Sequence, residues 1–382
     1  MQNQKPRSRP MARAADQCAE LIECPVERLR FLRTAPPPRR RFQRLRSWFS
    51  SPFAVALFLF TIPPPALRAP LAATARTPSA PESATVAVER MPQVWRVEAT
   101  AAFETWSNGL RIDNRFSVAT RPRSYLAFSS TRPDDIRGER GSVPAGIVFH
   151  TTESYQAPFG PEQNATLERA GESMLAWVKL KRAYNFVIDR FGRVYRVVRE
   201  GDVASHAGFS VWSDAERVYL DLNESFLAVS LETRTLPGQT EATVNPAQIR
   251  SAAMLTEMLR ARYGIPAGNC VTHAQVSVNP SDLRIGYHLD WASSFPFEQV
   301  GLPDNYALPL PAVSLFGLEY DTAFARHAGA RLLLEAQLAD RDLRDHAASA
   351  GLRLAAYRAI LQRRYRNHLA VVHHGAGRAE DE

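Results

Sequence analysis

Cysteine is scarce in this chain of 382 residues, which has three. Cys18 and Cys24 lie near the N-terminus, which leaves Cys270 alone in the body and excludes an internal disulfide framework there. Set in an apolar run three residues before His273, Cys270 reads as a small buried core residue. Long hydrophobic stretches are also missing. The apolar, charge-free run Pro52–Ile62 has eleven residues, too few to span a bilayer comfortably as a helix. No internal repeat is present, which argues against a solenoid or propeller. A basic body is missing as well. The net charge is +8, yet residues 1–46 hold 12 Lys/Arg against 4 Asp/Glu, so residues 47–382 sum to zero. The charge pattern therefore gives no support for a nucleic-acid footprint on the folded part.

What remains is ordinary globular composition, 45% hydrophobic and 23% charged, with enough length for one large domain or two modest ones. Residues 1–46 are rich in Arg and Pro without apolar periodicity. The run Pro52–Ile62 has the length of a signal-peptide core, with a basic region before it and small residues after it. Ala73-Thr74-Ala75 is a matching cleavage site, and Arg39-Arg40-Arg41-Phe42-Gln43-Arg44 resembles a twin-arginine signal. Residues 1–75 are thus expected to be a leader, and 76–91 a Pro/Ala/Ser/Thr linker.

From Pro92 the pattern turns strand-like. Val94–Glu98, Leu110–Asp113 and Phe116–Ala119 alternate, with a turn signal at Ser107-Asn108-Gly109, so 92–143 is expected to be a small β-rich lead-in. Gly146–His150 is a short apolar strand running into His-Thr-Thr-Glu, and Thr166–Lys181 has helical spacing. Tyr184 to Val197 predicts a hairpin turning at Arg190-Phe191-Gly192. The aromatic-rich stretch Phe209–Asn223 is expected to be a long loop, and Phe226–Glu232 a buried strand. Asn245-Pro246 starts a helix that Gly264 stops after Tyr263. Two Arg- and Asp-rich helices follow from about Ala323. Mixed strands and helices predict an α/β fold, a mixed central sheet flanked by helices, with a β-rich lead-in and C-terminal helices.

Before those C-terminal helices the body has four histidines, His150, His206, His273 and His288, three of them at strand ends or in the loops after strands. Hydrolytic zinc sites need three protein ligands and an open position, and nitrogen and carboxylate ligands suit an exported protein. Any one of these histidines alone would be more simply structural. Their combination points to a metal site, with Asp282 and Asp290 as nearby carboxylates.

The order of these elements resembles the type-2 family of zinc-dependent N-acetylmuramoyl-L-alanine amidases, which share a fold with the peptidoglycan recognition proteins. The resemblance covers roughly residues 144–300. It runs through Val148-Phe149-His150-Thr151-Thr152, Tyr184-Asn185-Phe186-Val187-Ile188-Asp189-Arg190-Phe191-Gly192, His206-Ala207-Gly208, Phe226–Glu232, and Asp290 with the trailing Phe295-Pro296. It implies one zinc per chain on His150, His273 and Asp290, with Asp282 or His288 as the alternative third ligand. It implies that His288 stabilises an oxyanion, that Tyr184 hydrogen-bonds substrate, and that His206 and Thr151 line the substrate groove. The family's strand glutamate aligns with Ser230. Glu232, two residues on and on the same strand face, is then the candidate general base, or else a strand-end carboxylate with no part in the chemistry. The amidase domain is expected over 144–310 and a helical extension over 318–370. The expected function is exported hydrolysis of the N-acetylmuramic acid–L-alanine amide of peptidoglycan, with membrane contact only through an uncleaved leader. A non-catalytic muropeptide-binding module of the same fold is the alternative.

Overall fold

A strand that is apolar on both faces must be covered on both faces, and all six residues of Gly146–Thr151 are buried. The computed structural model describes residues 91–377, which belong to one compact unit. The leader and its apolar run Pro52–Ile62 lie outside the described residues, and so does nearly all of the linker. Among the described residues no helix is long and apolar enough to cross a membrane.

The described chain begins with three short antiparallel strands, β1 (Arg96–Ala99), β2 (Phe103–Trp106) and β3 (Arg111–Asp113), then β4 (Tyr125–Ser129) and β5 (Glu139–Gly141). After β6 (Gly146–Thr151) come helix α1 (Asn164–Lys181) and the hairpin β7 (Phe186–Ile188) and β8 (Val194–Arg196). A second hairpin follows, β9 (Val211–Ser213) and β10 (Arg217–Leu220), then a single turn α2 (Leu222–Ser225) and strand β11 (Phe226–Leu231). Helix α3 (Pro246–Tyr263) leads to β12 (Cys270–Thr272), the turn α4 (His273–Val276), and the short pair β13 (Val278–Asn279) and β14 (Arg284–Ile285). Helices α5 (Pro311–Ser314), α6 (Thr322–His327), α7 (Gly329–Ser349) and α8 (Leu354–Gly377) complete the described chain.

The main sheet is mixed, in the order β1-β2-β3-β8-β7-β11-β6-β12. β6 is parallel to both β11 and β12, and the registers place Ser230 opposite His150 and Thr272 opposite Phe149. The period of two sorts the side chains. Ile147, Phe149, Leu227, Val229 and Leu231 face α3, where Ala252, Leu255, Met258 and Leu259 cover them. Val148, Phe226 and Val271 face the other way, into a cluster with Trp212 and Tyr219. His150 falls on this second face by the same alternation.

Helix α3 begins and ends where its sequence signals stand. The Asn245 side chain accepts from the Ala247 and Gln248 amides in a capping box, and Gly264 takes the left-handed conformation after the last turn. The expectations for 92–143 and 209–223 are revised in detail. Phe116–Ala119 makes one isolated bridge, Val118 to Val198, rather than a strand. Phe209–Asn223 is not a loop, because hairpin β9–β10 pairs through β10 with β4 in a second sheet, β5-β4-β10-β9. Val211, Val218 and Leu220 are buried there, together with Phe128, against α5 and the C-terminal helices.

Arg123, from the segment between β3 and β4, is almost fully buried. Its guanidinium donates to the carbonyls of Glu200 at 3.2 Å, Asp202 at 3.2 Å, Glu224 at 2.6 Å and Phe226 at 3.0 Å. Burial pushes its pKa down to about 10, with Glu224 opposing. One side chain thus joins the lead-in to the two segments that flank the His206 loop.

Candidate metal centre

Three elements deliver the centre. His150 is the fifth residue of β6, placed by that strand's apolar packing. His273 opens α4 directly after β12. Thr272 caps that turn in a box with Gln275, whose Oε1 accepts the Thr272 amide at 3.0 Å. Asp290 arrives from the loop after β14, and its carbonyl accepts the Ala274 amide at 3.3 Å.

The Asp290 carboxylate lies between the two imidazoles. His150 Nδ1 is 3.1 Å from Oδ2, and His273 Nδ1 is 2.8 Å from Oδ1. One donor atom from each of the three residues lies within 4.8 Å of the others. Burial, then His273, pushes His150 down to about 4, against the pull of Asp290. Burial by itself would raise Asp290, but His273 and the two imidazole hydrogen bonds hold its carboxyl well below the usual range. A neutral imidazole beside an ionised carboxylate is the protonation pattern of a metal ligand set. The Nε2 of His273 is buried without a hydrogen-bond partner. Two nitrogens and one carboxylate oxygen, with no thiolate, match the donor set of catalytic zinc sites that keep one position open. These residues fit the metal.

Around them stand the other residues expected from the sequence. With both Nδ1 atoms turned to Asp290, His150 Nε2 meets His206 Nδ1 at 3.1 Å. That contact is of the kind that fixes a ligand's tautomer and ring orientation. Burial, then His150 and His273, pushes His206 well below its ordinary value. Its loop is pinned by Asn223, whose Oδ1 accepts the amides of His206, Ala207 and Gly208 at 2.8, 2.7 and 3.2 Å. His288 stacks on His273, with ring centroids 4.6 Å apart and planes at 19°. Tyr184 adopts a left-handed backbone conformation, and its ring lies 5.1 Å from that of His150. Burial, then Asp290, raises its phenol pKa. Thr151 is buried, and its hydroxyl donates to Glu153 at 2.7 Å.

The carboxylates differ in placement. Asp282 is on the exposed β13–β14 turn, where it accepts the Arg284 amide at 3.2 Å, and it is not in the donor group. Glu232 is buried just beyond β11, and its Oε2 accepts the Arg190 amide of the β7–β8 turn at 3.0 Å. Burial raises its pKa, with that hydrogen bond opposing. Ser230, opposite His150, is buried too. Sequence reasoning missed Glu153. Its carboxylate is held by Thr151 and by the Thr235 amide at 3.0 Å, while Thr235 Oγ1 accepts the amide of Trp291, next to Asp290. The available signal was its place in the His-Thr-Thr-Glu run. Asn223 and Thr235 had none, because their value lies in contacts far along the chain.

Residues 140–284 match the family model described as N-acetylmuramoyl-L-alanine amidase. This span holds His150 and His273 but ends before Asp290. The chain is 31% identical over 112 residues to the N-acetylmuramoyl-L-alanine amidase AmiD of Escherichia coli K12, covering 28% of this chain and 37% of that relative. The chain thus spans little more than a third of that relative's length. Among solved structures, the amidase LysC from Clostridium intestinale is 20% identical, with 48% of this chain and 93% of that one covered and a TM-score of 0.27. The AmiD complex with anhydro-N-acetylmuramic acid-L-Ala-D-gamma-Glu-L-Lys is 26% identical, with 41% and 56% covered and a TM-score of 0.30. At such TM-scores these overlays add nothing to the assignment, which rests on the sequence matches and on the mixed sheet with its flanking helices. On that footing, residues 140–284 are similar to the N-acetylmuramoyl-L-alanine amidase family.

Proposed function

We propose that the chain is an exported, zinc-dependent N-acetylmuramoyl-L-alanine amidase, acting on peptidoglycan or muropeptides with one zinc per chain. The observation that carries this is the His150–His273–Asp290 group, its two imidazoles buried, in β6, directly after β12 and in the loop after β14. Export rests on the leader's composition alone.

His150, His273 and Asp290 would hold the metal, which when bound lowers the pKa of water and polarises a carbonyl. The remaining work falls to side chains of this chain. His206 keeps the His150 ring in its ligating orientation. Tyr184, whose hydroxyl stays protonated, donates to the substrate carbonyl. His288, at the rim on the face of His273, donates to the oxyanion as the tetrahedral carbon forms. Glu232, with its raised pKa, takes a proton from water and returns it to the departing amine. The amide C–N bond breaks, leaving the carboxylate of the muramyl lactyl group and the free amino group of L-alanine.

A second reading, a muropeptide-binding module without turnover, is favoured by Ser230 at the register position of His150 and by the Arg190 amide on the Glu232 carboxylate. Incubating the whole chain with a muramyl-peptide fragment and separating the products by mass distinguishes the two. Release of the intact stem peptide, abolished by a chelator and restored by zinc, is the expected result. A fragment that binds but is recovered whole would leave the binding module standing instead.

A further inference from the structure

Helix α7 lies beyond the span matched by the amidase family, residues 140–284, yet it grips both segments that carry the late metal ligands. The first grip is on the Asp290 segment. Ser293, three residues after Asp290, is buried, and its hydroxyl donates to the Ala328 carbonyl at 2.6 Å and accepts the Leu332 amide at 3.0 Å. Leu332 closes the first turn of α7, whose cap residue is Ala328. Ser293 therefore bridges the carbonyl and the amide at the two ends of that turn. The approach is close: a Cβ on Gly329, at φ +75°, would fall 2.7 Å from the Ser293 side chain.

The second grip is on the His273 segment. Glu335 stands one turn further along α7, on the same face as Leu332. It is buried, and its Oε1 accepts from Gln275 Nε2 at 3.3 Å. Gln275 is the residue whose other side-chain atom, Oε1, closes the capping box at Thr272 and so sets where His273 starts its turn. Gln275 Nε2 also donates to the Asn305 carbonyl at 2.8 Å. Ala274 and Ala292, neighbours of the two ligand segments, share one apolar cluster with Leu332, Ala336 and Ala339 of α7.

We propose that α7 is a positioning element of the metal centre. In this role Ser293 and Glu335 hold the Asp290 and His273 segments in register with each other. His150, on its central strand, needs no such help. The inference rests on the zinc reading above. It assigns to a helix outside the family match the job usually given to partners directly behind the ligands, whose loss weakens metal affinity by roughly 10–100-fold.

The test is zinc affinity of the full chain, measured by competition with a chromophoric chelator, and the visible spectrum of the cobalt-loaded protein. Glu335→Leu is expected to weaken zinc binding by roughly tenfold and to shift the cobalt bands, while Glu335→Gln, which keeps an acceptor for Gln275, restores both. Ser293→Ala, a smaller change made in case the leucine variant does not fold, is expected to weaken binding in the same direction. Wild-type affinity and an unchanged cobalt spectrum in Ser293→Ala, and in Glu335→Leu where it folds, would overturn the positioning role while leaving the zinc site intact. A wild-type chain that binds no zinc would instead overturn the metal reading, and this inference with it.

Discussion

Asp290 is where the two imidazoles meet, with one carboxylate oxygen toward each Nδ1. On the proposed zinc reading, removing it takes away a donor and also leaves two buried rings with no anion between them. Asp290→Ala is therefore expected to leave the chain without stoichiometric zinc, and Asp282→Ala to keep it, since Asp282 is exposed on the β13–β14 turn. Metal content after gel filtration measures both. Zinc retained in the first variant and lost in the second would move the third ligand to Asp282. At this scale the sequence was informative about residue type and poor about direction. Glu232 and Ser230 share a strand face by periodicity, yet only the folded turn shows the Glu232 carboxylate meeting the Arg190 amide.

Elements follow local signals where the signals are local. The α3 cap and the turn before β8 support each other: Asn245 Nδ2 donates to the Arg190 carbonyl at 2.6 Å, and Ser251 Oγ to the Gly192 carbonyl at 2.5 Å. Gly192 sits at φ +78°, and a Cβ there would meet the Ala247 carbonyl oxygen at 2.7 Å. Asn245→Ala is expected to lower stability by about 1 kcal/mol through the lost cap, with a lower urea midpoint and an unchanged slope. Arg123→Ala belongs to a different size class, because several buried carbonyls lose their donor together, and about 3 kcal/mol or more is expected. Equal midpoints for the two variants in parallel urea titrations would contradict the bracing role given to Arg123. The lead-in, whose role its short alternating runs do not reveal, extends the main sheet through β3 beside β8 and supports the segments around the His206 loop through Thr120, Arg121 and Arg123.

At the scale of the whole molecule, the C-terminal helices meet the rest through a large apolar cluster, and Glu335 of α7 is buried beside it. Burial raises the Glu335 pKa well above 4.5, and the hydrogen bond from Gln275 opposes that only in part. An acid whose folded pKa is raised contributes stability that is present below its unfolded pKa and is lost as pH rises through the folded one. Wild-type stability should thus decline from about pH 4.5 upward through this group, while Glu335→Gln carries no such decline. The expected outcome is a variant whose unfolding free energy, relative to wild type, climbs as pH rises above the ordinary glutamate range. A difference that is flat or falls over that rise in denaturant titrations would show that Glu335 is not held neutral.

The sequence by itself determined the strand that carries His150, the hairpin at Gly192, the capped helix from Pro246 to Tyr263, and the candidate metal residues. Each depends on side-chain period, a cap or a turn residue, and these act over a few neighbouring positions. Tertiary structure alone decided which carboxylate faces the imidazoles, that Phe209–Asn223 joins β4 and β5 in a second sheet, and that α7 contacts Gln275 and Ser293. Asp290 reaches His150 across 140 residues and Ser293 reaches Leu332 across 39. Such pairings are selected by burial and by the need to satisfy buried polar groups, which no local pattern encodes.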